Sequence, residues 1–104
     1  MTVKYNKLVR DRIPEIIESK GGKCTVEVLS DEEYLKMIDK KLDEELAEYH
    51  EDQNLEELAD LVEVIYAAAK ARGFTLEELE AVRAEKAAKR GAFDKKLLLK
   101  EVTE

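Results

Sequence analysis

Apolar and charged residues recur with helical spacing along most of the chain, and the breaks in this pattern predict four helices. The first helix is short: Pro14 opens the stretch PEIIESK, which Gly21 and Gly22 end. Three capping patterns, each a polar residue followed three positions later by Glu, predict the starts of the others: Ser30 with Glu33, Asn54 with Glu57, and Thr75 with Glu78.

The helix after Ser30 carries apolar residues at one face. Leu35, Ile38, Leu42 and Tyr49 follow one another at spacings of three, four and seven, which is typical of an amphipathic helix of about twenty residues. Its expected end is near residues 52–53.

The helix after Asn54 is much more apolar. In its stretch LADLVEVIYAAA only Asp60 and Glu63 are charged, which predicts a central, buried helix that ends at Gly73. Because the connection to the preceding helix is short, we expect the two to pack antiparallel. A charged helix should follow from Leu76 to about Arg90, where Gly91 stops it.

Three further segments lack the helical pattern. Residues 4–9 suggest a short extended segment, and KCTVEVL, rich in β-branched residues, a short strand. The tail FDKKLLLKEVTE suggests a strand or a segment that packs on a neighbour. The predicted fold is therefore a mostly all-α bundle with antiparallel long helices, in a single domain over residues 1–104.

Composition excludes several classes of protein. With 44% apolar and 41% charged residues, the chain is too apolar for a disordered protein and too charged for a membrane protein. The N-terminal sequence lacks the apolar run of a signal peptide. We expect a cytoplasmic protein without a membrane partner.

The net charge of −7 is unevenly distributed. Residues 1–23 carry a net charge of +3, residues 24–63 of −12, and residues 64–104 of +2. An acidic middle argues against a nucleic-acid surface. It is compatible with a cation bound in the middle and anion contacts from the ends, and equally with a solvated acidic face.

The lone cysteine and the lone histidine narrow the chemistry. Cys24 is best interpreted as a packed small residue, and His50, within YHEDQN, as solvated. A single histidine excludes multi-histidine zinc sites. It excludes a Ser-His-Asp triad unless His50 supplies the base.

Several carboxylates lie where helix periodicity predicts buried positions. Glu45 occupies the core position seven residues after Ile38, and Glu48 follows one turn later. On the next helix, Glu57, Asp60 and Glu63 form one acidic stripe at spacings of three. An ionised carboxylate facing a core is costly unless it is paired or bound to a cation.

Both sets of acids lie near the short connection, so we expect them to converge at one end of the helix pair. Magnesium would neutralise their repulsion, because it prefers oxygen ligands. Structural roles are the alternative: Glu57 as the capping partner of Asn54, Glu45 as the ion-pair partner of Lys41, and Glu48 as a solvated edge residue. A diiron bundle is disfavoured, because it needs E-x-x-H pairs that this chain lacks.

The acidic region bears a resemblance to a known family. The stretch KLDEELAEYHEDQNLEELADLVEVIYAAAK resembles the MazG-like all-α nucleoside triphosphate pyrophosphohydrolases, whose mark is E-x-x-E followed by E-x-x-D on neighbouring helices. The resemblance implies that Glu45, Glu48, Glu57 and Asp60 bind magnesium. It also implies hydrolysis of a nucleotide between its α and β phosphates, giving a monophosphate and pyrophosphate, as in house-cleaning of nucleotide pools.

Other segments extend the resemblance. The opening YNKLVRDRIPEII is similar to the N-terminus of a compact MazG-related subgroup, and KAAKRGAF resembles a Lys-rich Arg-Gly-Gly-Phe stretch of the family. The chain departs from the family pattern in two places, one of which bears on the substrate and the other on its phosphate contacts. Only eight residues separate Glu48 from Glu57, which is short for the family, and Ala92 stands where a second glycine is usual.

The resemblance implies roles for further residues. Glu45 or Glu48 would be the general base. The helix register, and not the resemblance, puts Glu63 on the stripe of Asp60, from where it would support the site from behind. The residues expected to contact the leaving pyrophosphate are Lys86, Lys89 and Arg90; Lys7 and Arg10 are weaker candidates. Family members form homodimers or homotetramers. The competing hypothesis is a non-catalytic helical module that binds a partner protein.

Overall fold

A computed structural model describes residues 2–103, in which all regular secondary structure is helical. The helices are α1 (Ile13–Ser19), α2 (Asp31–Asp52), α3 (Leu55–Ala71) and α4 (Leu76–Arg90). The prediction of a mostly all-α fold is confirmed. Within residues 2–103, no helix is both long and apolar enough to cross a membrane.

The predicted caps begin the three longer helices. Ser30, Asn54 and Thr75 each accept a hydrogen bond from the backbone N–H three residues later. The reciprocal bond of a complete capping box is present at Thr75, whose backbone N–H donates to Glu78. At Ser30 the hydroxyl instead donates to the Glu33 carboxylate.

Helices α2 and α3 form an antiparallel hairpin. Gln53 adopts a left-handed conformation (φ +49°) and its N–H donates to the carbonyl of Tyr49, while Asn54 caps α3 at once. Arg72, just after α3, lies 3.6 Å from Asp39 in the first half of α2. The two-residue turn thus places the end of α2 directly beside the start of α3.

The hydrophobic core lies between α2 and α3. Ile38 is 3% exposed, and Leu35, Leu42 and Tyr49 are partly buried along the same face. The amphipathic pattern predicted for α2 is therefore confirmed. Helix α4 packs on α3 and not on the face that carries this core.

Helix α3 departs from the prediction of burial on nearly every side. One face packs on α2, whereas a second apolar stripe is about 40% exposed, formed by Leu58, Val62, Ile65 and Tyr66. The spacing of four, three and one puts these four side chains on one side of the helix. Among residues 2–103, α2 covers the opposite face of α3 and α4 packs on it less extensively, so this stripe stays open.

The predicted strands do not form within residues 2–103. Residues 23–29 and the tail from residue 92 to 103 contain no strand, and the segment at 4–9 is irregular. Glu104, the last residue of the predicted tail segment, lies outside the described residues. Strand propensity is insufficient here because a strand requires a neighbour to accept its backbone hydrogen bonds.

Candidate metal centre

Glu45 is the most unusual residue of the hairpin. It is only 6% exposed, the one buried polar or charged side chain among residues 2–103. Its position follows from the helix register, seven residues after Ile38 and three after Leu42, on the face that packs against α3. The predicted core position of this carboxylate is confirmed.

Helix α3 contributes two acids to the same interface. Glu57 and Asp60 are partly buried and lie on the stripe that continues with Leu61 and Val64, the side packed on α2. Their spacing of three residues makes them neighbours on the helix surface. The turn at residues 53–54 brings this first part of α3 opposite Glu45.

The carboxylates converge on Glu45. Ligand oxygens of Glu45, Glu57 and Asp60 all lie within 4.8 Å of one another, and so do those of Glu44, Glu45 and Glu48. The four acids predicted from the sequence therefore meet at one end of the hairpin, with Glu45 common to both groups. We call these five carboxylates the acidic cluster.

Two oxygens of the acidic cluster are buried without partners. Oε2 of Glu45 and Oε2 of Glu57 have no hydrogen-bond partner among residues 2–103. The other oxygen of Glu45, Oε1, lies 3.5 Å from Nζ of Lys41. The alternative structural role of Glu45, pairing with Lys41, therefore involves only Oε1 and does not account for the buried Oε2.

The electrostatics of the cluster oppose its full ionisation. Burial raises the pKa of Glu45, and the carboxylate of Glu48 raises it further, against a smaller opposite effect from Lys41. Burial likewise raises the pKa of Glu57, followed by the charges of Glu48 and Asp60. Several carboxylates in one place disfavour one another's negative charge, so the cluster requires a compensating cation to be fully ionised.

Glu44 is a member of this group that was not predicted from the sequence. Glu44 lies four residues before Glu48, a helical spacing that would have revealed it. Its carboxylate accepts hydrogen bonds from Lys7 at 2.8 Å and Lys41 at 3.2 Å. The hydrogen bond from Lys7 lowers the pKa of Glu44, with a further contribution from Lys41, so this acid is already neutralised by the chain.

The structure also brings the basic N-terminal segment to the cluster. A guanidinium nitrogen of Arg10 lies 2.7 Å from Oδ1 of Asp60. Lys7 and Arg10 had only weak support from the sequence, because a basic N-terminus is common. They are separated from their acidic partners by 37 and 50 residues, a distance over which sequence spacing carries no signal.

Other predicted residues lie apart from these contacts. Among residues 2–103, the ion pair of Lys89 is with Glu85 of its own helix, and Lys86 and Arg90 form none. Glu63 is exposed and belongs to neither carboxylate group. The roles assigned to these four residues stay predictions.

The lone cysteine and histidine match their expected structural roles. Cys24 is partly buried, with its sulfur 4.0 Å from the carbonyl oxygen of Pro14. His50 is exposed and its ring lies edge-on to Tyr49 at 5.9 Å. Neither side chain lies within a carboxylate group of the acidic cluster.

Comparison with known proteins leaves the family open. No family model matches the chain, and no solved structure matches it. A segment of 42 residues is 55% identical to an uncharacterized protein of Mycolicibacterium smegmatis. This segment covers 40% of the chain and 43% of that relative's own length, so the chain matches less than half of the relative.

Proposed function

We propose that the chain is a magnesium-dependent nucleotide pyrophosphohydrolase, which hydrolyses a nucleoside triphosphate or related nucleotide between the α and β phosphates. The observation that carries this proposal is the buried, unpartnered oxygen of Glu45 at the centre of carboxylates from two helices. An isolated acidic surface is normally solvated. Here one carboxylate is turned inward, where its charge is costly unless a cation or a proton compensates it.

The donor set fits magnesium. The available ligands are all carboxylate oxygens, which hard divalent cations prefer to nitrogen or sulfur ligands. Glu45, Glu48, Glu57 and Asp60 would hold the ion. A bound magnesium ion would supply neutralisation of phosphate charge and a lower pKa of a coordinated water molecule.

The protein's own groups account for the remaining requirements of hydrolysis. A general base must lie within hydrogen-bonding reach of the attacking water. Glu45 and Glu48 are our candidates, because they lie in one group of carboxylates and burial raises the pKa of Glu45. Lys86, Lys89 and Arg90 are proposed, on the resemblance alone, to contact the leaving pyrophosphate. Glu63 is proposed to support the cluster, because it shares the helix stripe of Asp60.

The first experiment measures pyrophosphate release from a panel of nucleotides with magnesium. We expect Glu45→Gln and Asp60→Asn to lower the rate at least about a hundredfold. The matched controls Asp43→Asn and Glu56→Gln remove one charge from exposed positions of the same helices and should retain activity. Absence of hydrolysis by folded wild-type protein on every nucleotide would reject the proposal.

A second measurement separates the enzyme from a non-catalytic partner-binding module. Magnesium should raise the melting temperature of the wild-type chain, because an ion bound only to the folded state stabilises it. Glu45→Gln and Asp60→Asn should abolish this rise. A melting temperature insensitive to magnesium would favour the interaction module, which the open apolar stripe of α3 would serve.

We further propose that the chain functions as a homo-oligomer. Its accessible surface is 9760 Å², whereas about 6,000 Å² is usual for a folded monomer of this mass. The radius of gyration is 18.3 Å, against about 13 Å for a compact chain of this length. A second copy packed on the stripe of Leu58, Val62, Ile65 and Tyr66 would cover the surface that a single chain leaves open.

The oligomer can be tested by sedimentation or light scattering. Val62→Asp places a charge in the centre of the stripe and should shift the wild-type dimer or tetramer to smaller species. Val82→Asp is the matched control, because this valine of α4 is 53% exposed, comparable with the 41% of Val62. A wild-type chain that is monomeric at all concentrations would contradict the proposal.

A further inference from the structure

The N-terminal segment crosses the acidic end of the hairpin. Residues 2–12 form neither helix nor strand, yet two of their cations make ion pairs with the acidic cluster. Lys7 binds Glu44 on α2 at 2.8 Å, and Arg10 binds Asp60 on α3 at 2.7 Å. The segment therefore brings positive charge to both helices beside the proposed metal ligands.

A cavity beside the cluster extends this positive charge. Its volume is about 150 Å³, and its lining includes Lys7, Lys40 and Lys41 with Glu44 as the one acid. Lysine ammonium groups bind phosphate oxygens as point charges. Next to a group of carboxylates the structure thus holds a partly open space whose charged lining is three lysines and one acid, a charge arrangement that suits a metal–phosphate complex.

The two ion pairs of the segment are replaceable. The side chains of Arg10 and Asp60 are 58% and 40% exposed, and those of Lys7 and Glu44 are 45% and 26% exposed. Exposed pairs of this kind contribute little to stability. A divalent cation on the proposed ligands would compete with Arg10 for Asp60 and would repel Lys7 beside it, which leaves two cations in need of anions.

We propose that Lys7 and Arg10 are phosphate-binding residues of the site. In the metal-free chain they neutralise Glu44 and Asp60; with a divalent cation on the cluster they bind the phosphate oxygens of the substrate. The planar guanidinium of Arg10 suits a two-pronged contact with phosphate. This inference rests on the proposed function, because it assumes that the cluster takes a metal and a phosphorylated substrate.

The first test measures magnesium binding by calorimetry without phosphate. Arg10→Gln removes a cation that competes with the metal, so we expect its magnesium affinity to rise about two- to fivefold. Arg12→Gln is the matched control, with the same charge removed from the same segment; the ion pair of Arg12 is with Glu15. Equal affinities of Arg10→Gln and the wild type would overturn the metal-free half of the inference.

The second test measures binding of inorganic pyrophosphate in saturating magnesium. Arg10→Gln and Lys7→Gln should each weaken binding roughly ten- to a hundredfold, the range for a hydrogen bond to a charged group. Arg10→Lys should restore part of the loss, and Arg12→Gln should bind as the wild type does. Tighter magnesium binding together with weaker pyrophosphate binding by Arg10→Gln would show that this cation exchanges a carboxylate for a phosphate. Unchanged pyrophosphate affinity in both glutamine variants would overturn the inference.

These outcomes separate the inference from the proposed function. If pyrophosphate binding depends on Arg10 and Lys7 but no nucleotide is hydrolysed, the proposed hydrolysis fails and the phosphate-binding role stands. If nucleotides are hydrolysed and both glutamine variants bind pyrophosphate as the wild type does, the inference alone fails. A wild-type chain that does not bind pyrophosphate in magnesium also overturns it.

Discussion

The two basic regions of this chain have similar composition but different surroundings. The N-terminal segment has Lys7 and Arg10 in contact with the acidic cluster. The end of α4 has Lys86, Lys89 and Arg90, and among residues 2–103 its only ion pair with an acid is the local one between Lys89 and Glu85. The resemblance favoured the second region, whereas the contacts within one chain favour the first.

The difference between the two regions shows that a charged residue acquires partners distant in sequence only through the tertiary structure. Lysine and arginine near a helix C-terminus are favoured by the helix dipole alone, so their presence on α4 needs no ligand. Lys7 and Arg10 lie in an irregular segment, where no such local reason applies. Their contacts with acids 37 and 50 residues away depend on how the chain folds back over the hairpin.

The largest expected effect compares the two regions directly. The double variant Lys7→Gln/Arg10→Gln should lower kcat/KM for a nucleotide at least about a hundredfold, because it would remove both of the charged phosphate contacts that we propose. The contacts within one copy predict a loss of less than about tenfold for the triple variant Lys86→Gln/Lys89→Gln/Arg90→Gln, whereas the pyrophosphate role implied by the resemblance predicts a larger one. Pyrophosphate release under identical magnesium concentrations measures both.

An equal loss in the triple variant would break the comparison. It would mean that the basic end of α4 also contacts the phosphates. Mixing of variant subunits would then show whether these cations act at the site of their own copy or of another copy. Activity regained on mixing the triple variant with Glu45→Gln would place the cations of one copy at the acids of another. Activity that is not regained would assign them to their own chain.

A smaller effect, on the melting temperature, is expected for the acids that lie beside the two basic regions. In the metal-free protein, Glu45→Gln should raise the melting temperature at neutral pH by about 2–6 °C, because a neutral amide avoids the buried charge. Glu85→Gln on α4 should not raise it, since Glu85 is exposed and paired with Lys89. Thermal unfolding with a chelator present measures both, and a destabilised Glu45→Gln protein would contradict the expectation.

The advantage of Glu45→Gln should depend on pH. The pKa of Glu45 is raised by burial and by Glu48, so its stabilising contribution is present below the ordinary glutamate pKa and lost as pH rises through the raised value. The difference between variant and wild type should therefore be smallest in acid and grow towards neutral pH. A constant difference would show that packing, and not charge, separates them.

The smallest effect compares one ion pair from each region. Lys7→Gln should lower the metal-free melting temperature by about 1–4 °C, since its pair with Glu44 anchors the N-terminal segment to α2. Lys89→Gln should lower it less, because a pair four residues apart on one helix contributes little.

The pH dependence of the Lys7 pair has the opposite sign to that of Glu45. Because the hydrogen bond from Lys7 lowers the pKa of Glu44, the stability it confers is present above the ordinary glutamate pKa and lost as pH falls through the lowered value. The melting difference between wild type and Lys7→Gln should disappear in acid. A difference that persists there would indicate that the segment is held by apolar contacts.

Much of the fold followed from local patterns. The caps at Ser30, Asn54 and Thr75 and the stop near Gly91 predicted the helices closely, because capping satisfies backbone groups within a few residues. The strands failed because pairing is non-local: residues 23–29 have the right side chains but no neighbouring strand among residues 2–103.

For the candidate site, too, local patterns predicted one part of the arrangement and long-range contacts decided the rest. The sequence by itself determined that Glu45 breaks an apolar face and that Glu57 and Asp60 share one face of the next helix, since a helix repeats every 3.6 residues. Only the tertiary structure decided that these carboxylates converge on Glu45 with an oxygen left unpartnered. It also decided that Lys7 and Arg10 neutralise their neighbours, because ion pairs depend on distance in space and not on separation along the chain.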